Sequence, residues 1–263
     1  RGTGRPVRIG RGLVGDAPTY GVIADGEFQP LAGDVFSDPV GLDQRIELSE
    51  VPLLSPTDPM RTFAVLGGFF AEDEPPTAER PEPMLCPKVV PEVSGDHGRI
   101  IYPAFATSVV IEAEMALVIG RRVRGAPPEE AGAAIWGYTC CNDVTAPQYF
   151  PQFYLAKGID TFCSVGPWVR TDLTDEEIRD GLAITARVNG SIVQQGTTGR
   201  YKFSPAEMVS YLSTFLTLSP GDVITLGTPP PPPEVQPGDL VEVEVEGIGT
   251  LTNHVVPEGE PGP

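Results

Sequence analysis

Lysine and histidine are scarce in this chain. Of 263 residues only three are lysine (Lys88, Lys157 and Lys202) and two are histidine (His97 and His254), against 36 acidic side chains and a formal net charge of −18. That balance excludes a phosphate-backbone reader, whose affinity rests on Lys and Arg neutralising phosphates. It also disfavours an anionic membrane surface. No apolar run approaches the roughly 18 residues a membrane span requires, and no charged-then-apolar leader is present. Cysteine is sparse too: Cys86, Cys140, Cys141 and Cys163, with no CxxC. Vicinal Cys140 and Cys141 would make an awkward disulfide, and a chain of this size needs no staples. A reducing, cytoplasmic setting with buried thiols is expected.

What is plentiful is glycine and proline, 30 of each, above the average usage of about 7% and 5%. This favours strands and turns over long helices, and 40% hydrophobic residues suffice for a core. The expected class is mixed α/β, mainly β. Asp25-Gly26 and Asn189-Gly190 are hairpin signals between alternating residues. Thr174 with Glu177, and Ser204-Pro205 with Glu207, are capping-box starts, the second opening a helix over 205–217. PPEEAGAAIWGY (127–138) reads as a helix leading into a strand. SPGDVITLG and QPGDLVEVEVEG each feed a strand from the same turn, separated by five prolines (229–233) that should form a stiff connector. The Pro-, Glu- and Asp-rich stretch 72–96 is expected to be a surface loop or lid.

Glu112 and Glu114 lie two apart in the strand-like run 107–120, so they share a face at a spacing of roughly 6.6 Å. In LVEVEVEG (240–247), by contrast, the glutamates share one face and the valines the other, as on a strand with one wet side. Around Glu112 both faces are apolar: Val110, Ala116 and Val118 on its own, Val109, Ile111, Ala113, Met115, Leu117 and Ile119 opposite. That pattern marks a strand buried on both sides. Two ionised carboxylates there repel by about 2–3 kcal/mol at an effective dielectric of ~20, before desolvation. Either they reach water or arginines at a strand end, or a hard cation with oxygen ligands compensates them. Asp143, between a predicted strand and a turn, is placed to be a third ligand or a capping residue. Lys157, in the apolar run FYLAKGIDTF, is a candidate active-site cation or one half of a structural ion pair.

Together with GYTCCNDVT (137–145), LAKGIDTFCSVGPWV (155–169), VNGSIVQQGTT (188–198) and LSPGDVITLGTP (218–229), the strand Ile111–Gly120 resembles the fumarylacetoacetate hydrolase family. YGVIADGEFQPLAGDVF and VPLLSPTDPMRTFAVLG fit more loosely. The resemblance implies a mixed β-roll with a small N-terminal β-rich module (1–60) and a catalytic unit (61–263), assembled as a homodimer. It implies Mg²⁺, or Mn²⁺ or Ca²⁺, on Glu112, Glu114 and Asp143, with Lys157 at the substrate and Gln194 (or neighbouring Gln195) touching it. Thr228 falls in the family's T-G-T-P motif. Family members hydrolyse, decarboxylate, isomerise or dehydrate small 2-oxo acids and β-diketo acids, the metal stabilising charge as a C–C or C–H bond breaks.

The departures carry information as well. Hydrolytic members show a G-x-N-Y-x-x-H-x-x-E segment whose His and Glu activate water. Here Asn-Tyr is Phe69-Phe70, the His position holds Asp73 and the Glu position Pro76; His97 and His254 lie elsewhere. The usual Arg after the metal Asp is Pro147, and the first Thr of T-G-T-P is Leu226. Phe69, Phe70, Leu226 and Pro147 are therefore expected to make the pocket apolar. An intact metal site without the dyad points first to enolate chemistry on a 2-oxo acid or 1,3-dicarbonyl compound: isomerisation, decarboxylation, or a ring-forming or ring-opening step. The second reading is a C–C hydrolase in which Asp73, Glu72 or metal-bound hydroxide replaces the dyad. The third is a silent relative that binds metal and ligand.

Overall fold

The computed structural model describes residues 7–57, 61–75 and 80–260. These build one 12-stranded and one 5-stranded sheet. The large sheet runs from Glu27–Ala32 through Ala17–Ala24 and Arg8–Val14 to Cys163–Arg170, Ile135–Asp143, Ala113–Ile119, Val223–Thr225, Thr62–Leu66 and Met84–Lys88. The small one orders Ser191–Thr197, Ala183–Val188, Leu240–Val245, Gly249–Pro257 and Gly98–Tyr102. Among the described residues no helix is long and apolar enough to cross a membrane. The N-terminal strands have their own cluster of Ile23, Phe28 and Val51. Their first strand nevertheless pairs with Cys163–Arg170, so they extend the large sheet.

Local chemistry accounts for the punctuation. Asp25-Gly26 and Asn189-Gly190 both turn with positive φ (55° and 81°, 52° and 78°), the mirror-image turn whose twist matches a hairpin. Both proline-glycine turns close identically: Asp222 accepts from the Ser219 N–H at 2.8 Å, and Asp239 from the Gln236 N–H at 2.7 Å. Both capping boxes form, opening helices Asp175–Asp180 and Pro205–Phe215. Leu240–Val245 alternates half-buried and buried residues, as its Glu/Val pattern requires.

Ala113–Ile119 is buried at every position. Its odd-numbered residues Ala113, Met115, Leu117 and Ile119 enter the main core shared with the small sheet. Its even-numbered Ala116 and Val118 join a separate cluster with Cys141, Cys163, Val165, Val169 and Val223. The second cluster exists because the large sheet curls back on itself. Met84–Lys88, expected to be loop, is instead a strand paired with Thr62–Leu66. Beyond it Ser94 donates to the Cys163 carbonyl and accepts from the Val165 N–H. The proline and acid content of 72–96 masked a five-residue strand, whose pairing partner Thr62–Leu66 lies on the other side of the acidic stretch.

Ser204 accepts from the Glu207 N–H at 3.2 Å, and the Glu207 carboxylate accepts from the Ser204 N–H at 2.6 Å. Removing this cap by Ser204→Ala should lower stability by about 1 kcal/mol, read as a shift in the urea midpoint at constant slope.

Candidate functional site

The antiparallel register explains why the acidic side chains meet. Residues directly opposite each other share a face, and Asp143 donates its N–H to the Glu112 carbonyl at 3.1 Å. Ala113 faces Asn142 and Glu114 faces Cys141, while Val110 bridges Thr145. Glu112, Glu114, Asp143 and Thr145 therefore stand on one patch of one face. One ligand oxygen from each of Glu112, Glu114 and Asp143 lies within 4.8 Å of the others.

Lys157, the last residue of the short helix Phe153–Lys157, is fully buried. Its Nζ donates to Glu112 Oε1 at 3.0 Å, Asp143 Oδ2 at 2.7 Å and Thr145 Oγ1 at 2.8 Å. Thr145 in turn donates to Glu112 Oε1 at 2.8 Å. The other oxygen of Asp143 accepts from Lys88, which also donates to the Val144 carbonyl at 3.1 Å. Glu114 Oε2 accepts from the Gly227 N–H at 2.6 Å, whereas its buried Oε1 has no protein partner. Gly227 has φ 98°, and a Cβ there would press on the Gly68 backbone, so only glycine brings this N–H to the carboxylate.

Burial sets the electrostatics. It pushes Glu114 well above the ordinary carboxylate range, with Asp143 and Glu112 adding repulsion. Burial also raises Glu112, against the pull of Lys157. In Asp143 burial works the same way, but Lys157 and Lys88 outweigh it and hold the carboxyl low. Burial opposes the charge on Lys157, yet Asp143 and Glu112 prevail and raise its pKa. Three carboxylates against two ammonium groups leave one negative charge in excess. With an orphaned buried oxygen and an all-oxygen donor set, the residues fit a hard divalent cation.

Above this floor is a cavity of about 280 Å³. Val65, Leu66 and Phe69 form one wall, Phe150 and Phe153 another, and Pro230 and Pro232 of the proline connector a third; Glu112 and Thr228 also line it.

Residues 61–256 match the family described as fumarylacetoacetate (FAA) hydrolase C-terminal. The chain belongs to the fumarylacetoacetate hydrolase family. Residues 7–56 match a second description, Rv2993c-like, N-terminal. Protein Rv2993c of Mycobacterium tuberculosis is 36% identical over 97% of this chain and all of its own length. The 4-hydroxyphenylacetate degradation bifunctional isomerase/decarboxylase of Escherichia coli is 34% identical, over 90% of this chain and 55% of its own. The crystal structure of 2-hydroxyhepta-2,4-diene-1,7-dioate isomerase from Mycobacterium marinum superposes with a TM-score of 0.87. It is 32% identical, over 97% of this chain and all of its own.

Within this family frame, the structure brings together Glu112, Glu114, Asp143 and Lys157, with Phe69 and Thr228 at the cavity. Other residues fall elsewhere. Glu72 and Asp73 are exposed on a turn and do not line the cavity. The turn is set by Arg200, which donates to the carbonyls of Phe70, Ala71 and Glu74 and so holds the rim's backbone rather than its carboxylates. Pro76 lies outside the described residues. Phe70 is buried beneath Lys202, whose Nζ sits 5.4 Å from the ring centre, and Leu226 packs in the main core. Gln194 spends its amide internally, accepting from the Ala113 N–H at 3.0 Å and donating to the Pro229 and Pro231 carbonyls. Gln195 is exposed. His97 stacks on His254 at 6.1 Å and lines a separate surface groove with Arg11 and Arg99. All four cysteines are free and buried, and burial pushes the Cys140 thiol up to about 12.

Three participants escaped the sequence reading: Lys88, Thr145 and Arg200. For Lys88 a signal existed, since lysine is so rare, but its surroundings read as loop.

Two outcomes test the charge arrangement. Glu114 has a folded pKa above its unfolded value, so its contribution is most favourable below the unfolded pKa and is lost as pH rises towards the folded one. Glu114→Gln should stabilise the metal-free protein by about 1–3 kcal/mol near neutrality, the gap closing towards pH ~4, measured by urea unfolding. Lys88→Met removes one partner of a buried pair and should cost about 3–5 kcal/mol in the same assay.

Proposed function

We propose that this chain performs enolate chemistry on a small 2-oxo acid or 1,3-dicarbonyl compound, as an isomerase or decarboxylase, with a divalent cation on Glu112, Glu114 and Asp143. Mg²⁺ is the proposed ion; Mn²⁺ and Ca²⁺ suit the same oxygen donors. The observation that carries the reading is the sealed cluster itself: three convergent carboxylates and a buried lysine under an apolar cavity. The isomerase and isomerase/decarboxylase names of the relatives support it.

When bound, such a cation polarises adjacent substrate oxygens and stabilises the negative charge of an enolate. The protein's own part follows from its side chains. Lys157 stays charged, because the carboxylates around it outweigh burial, and so supplies fixed positive charge at Nζ beside a developing enolate rather than acting as a base. The Phe, Val, Leu and Pro side chains beside Glu112 make its surroundings less polar than water, which strengthens interactions at the floor. Thr145 and Lys88 hold Glu112 and Asp143 in place, and Gly227 fixes Glu114.

Hydrolysis is the second reading. It needs an activated water, and among the described residues Glu72 and Asp73 face solvent while His97 lines another groove with His254 stacked against it. A homodimer, implied by the resemblance, belongs to the same proposal.

Deuterium uptake next to the ketone of a 2-oxo acid in D₂O, followed by proton NMR with Mg²⁺, tests the enolate step. Catalysed exchange should disappear with chelator and fall by about 10²–10³-fold in Lys157→Met. Glu72→Gln and Asp73→Asn should leave it unchanged. Turnover of a β-diketo acid in H₂¹⁸O with label entering a product carboxylate would instead establish hydrolysis.

A further inference from the structure

Resting on the enolate reading, we infer that the natural substrate is a monocarboxylate: a 2-oxo acid whose far end is an apolar chain or ring. The 2-oxo acid head accounts for the polar floor. The inference concerns what the cavity leaves for the other end of the molecule.

A distal carboxylate needs cations or hydrogen-bond donors, and the cavity wall supplies none from its side chains. Among the described residues no lysine, arginine or histidine lines it. Its single hydroxyl, on Thr228, already donates to the Ala113 carbonyl at 3.0 Å. Pro230 and Pro232 have no N–H to offer, and Gln194 fixes their segment by taking the Pro229 and Pro231 carbonyls. The basic residues on either side of Tyr201, which bridges Phe69, are committed elsewhere. Arg200 is spent on three carbonyls, and Lys202 pairs with Glu74 at 3.4 Å. Lys88 and Lys157 belong to the floor. The charged side chain that does line the cavity, Glu112, would repel a second anion.

A carboxylate in this cavity would therefore lose its hydration without replacement. A hydrocarbon tail on Val65, Leu66, Phe69 and Phe153 gains from the same walls. The compound named for the Mycobacterium marinum relative, a 1,7-dioate, carries a carboxylate at each end.

The test pairs two six-carbon acids that differ at the far terminus, 2-oxohexanoate and 2-oxoadipate, at one ionic strength with Mg²⁺. The readout is kcat/KM for deuterium exchange, with calorimetric affinity alongside. The native protein should favour 2-oxohexanoate by about tenfold or more, and shorter homologues should lose about fourfold per methylene. Phe150→Arg places a cation at the exposed rim and should improve 2-oxoadipate about tenfold, whereas Phe150→Leu should not. Equal or better use of 2-oxoadipate by the native protein overturns the inference while leaving the enolate reading intact. Exchange of neither acid, with either Mg²⁺ or Mn²⁺, removes the enolate reading and the tail inference with it.

Discussion

One buried aspartate shares its two oxygens between two ammonium groups, and the rest of the site is arranged around that fact. Desolvating a carboxylate costs several kcal/mol unless charge and hydrogen bonds replace the water. Lys88 and Lys157 do so for Asp143. They do not do so fully for Glu112 and Glu114, which burial leaves with raised pKa values and, at Glu114 Oε1, without a partner. The cluster is held together by the lysines yet remains short of positive charge. A divalent cation, not a third lysine, fits a deficit located among oxygen atoms.

Those lysines come from two different elements, and each route shapes the fold. Lys88 ends the strand that helps curl the large sheet back towards Cys163–Arg170, and Lys157 ends a helix of five residues. The loop 226–228 threads between them and the rim: Gly227 serves Glu114, Thr228 serves the Ala113 carbonyl, and the prolines that follow become cavity wall. Polar contacts are used up in holding the floor and bracing the wall. The surface left facing a ligand is mostly carbon, which separates two tasks. In the proposed reading the floor sets the chemistry and the wall selects the molecules that reach it.

Much of this was legible along the chain. Hairpin and capping-box positions depend on φ preferences and on side chains reaching backbone three residues away, so Asn189-Gly190 and Ser204 with Glu207 were readable in isolation. The pairing of Glu112 with Glu114 on one face follows from the two-residue period of a strand. The apolar character of both faces followed from the residues between and beyond them, and the family from the blocks around them. What misled was composition. Proline and acid near Lys88 resembled a surface loop, because the strand Met84–Lys88 draws its stability from Thr62–Leu66 and not from its own propensity. Asp73 stands at the motif's His position with Glu72 beside it, yet both are exposed away from the cavity, on a turn whose backbone Arg200 holds from more than a hundred residues away.

The sequence by itself determined which residues form strands and turns, which glutamates share a face, and that lysine is too rare to be spent casually. These are consequences of local geometry and counting. Only the tertiary structure decided that Lys88 reaches Asp143, that Gln194 braces the proline wall, and that Phe70 and Leu226 belong to the core. Lys88 and Gln194 depend on strand register, where a shift of one residue would turn either side chain to the other face, while Phe70 and Leu226 lie just outside strands and are placed by backbone bonds to the Arg200 and Met115 carbonyls.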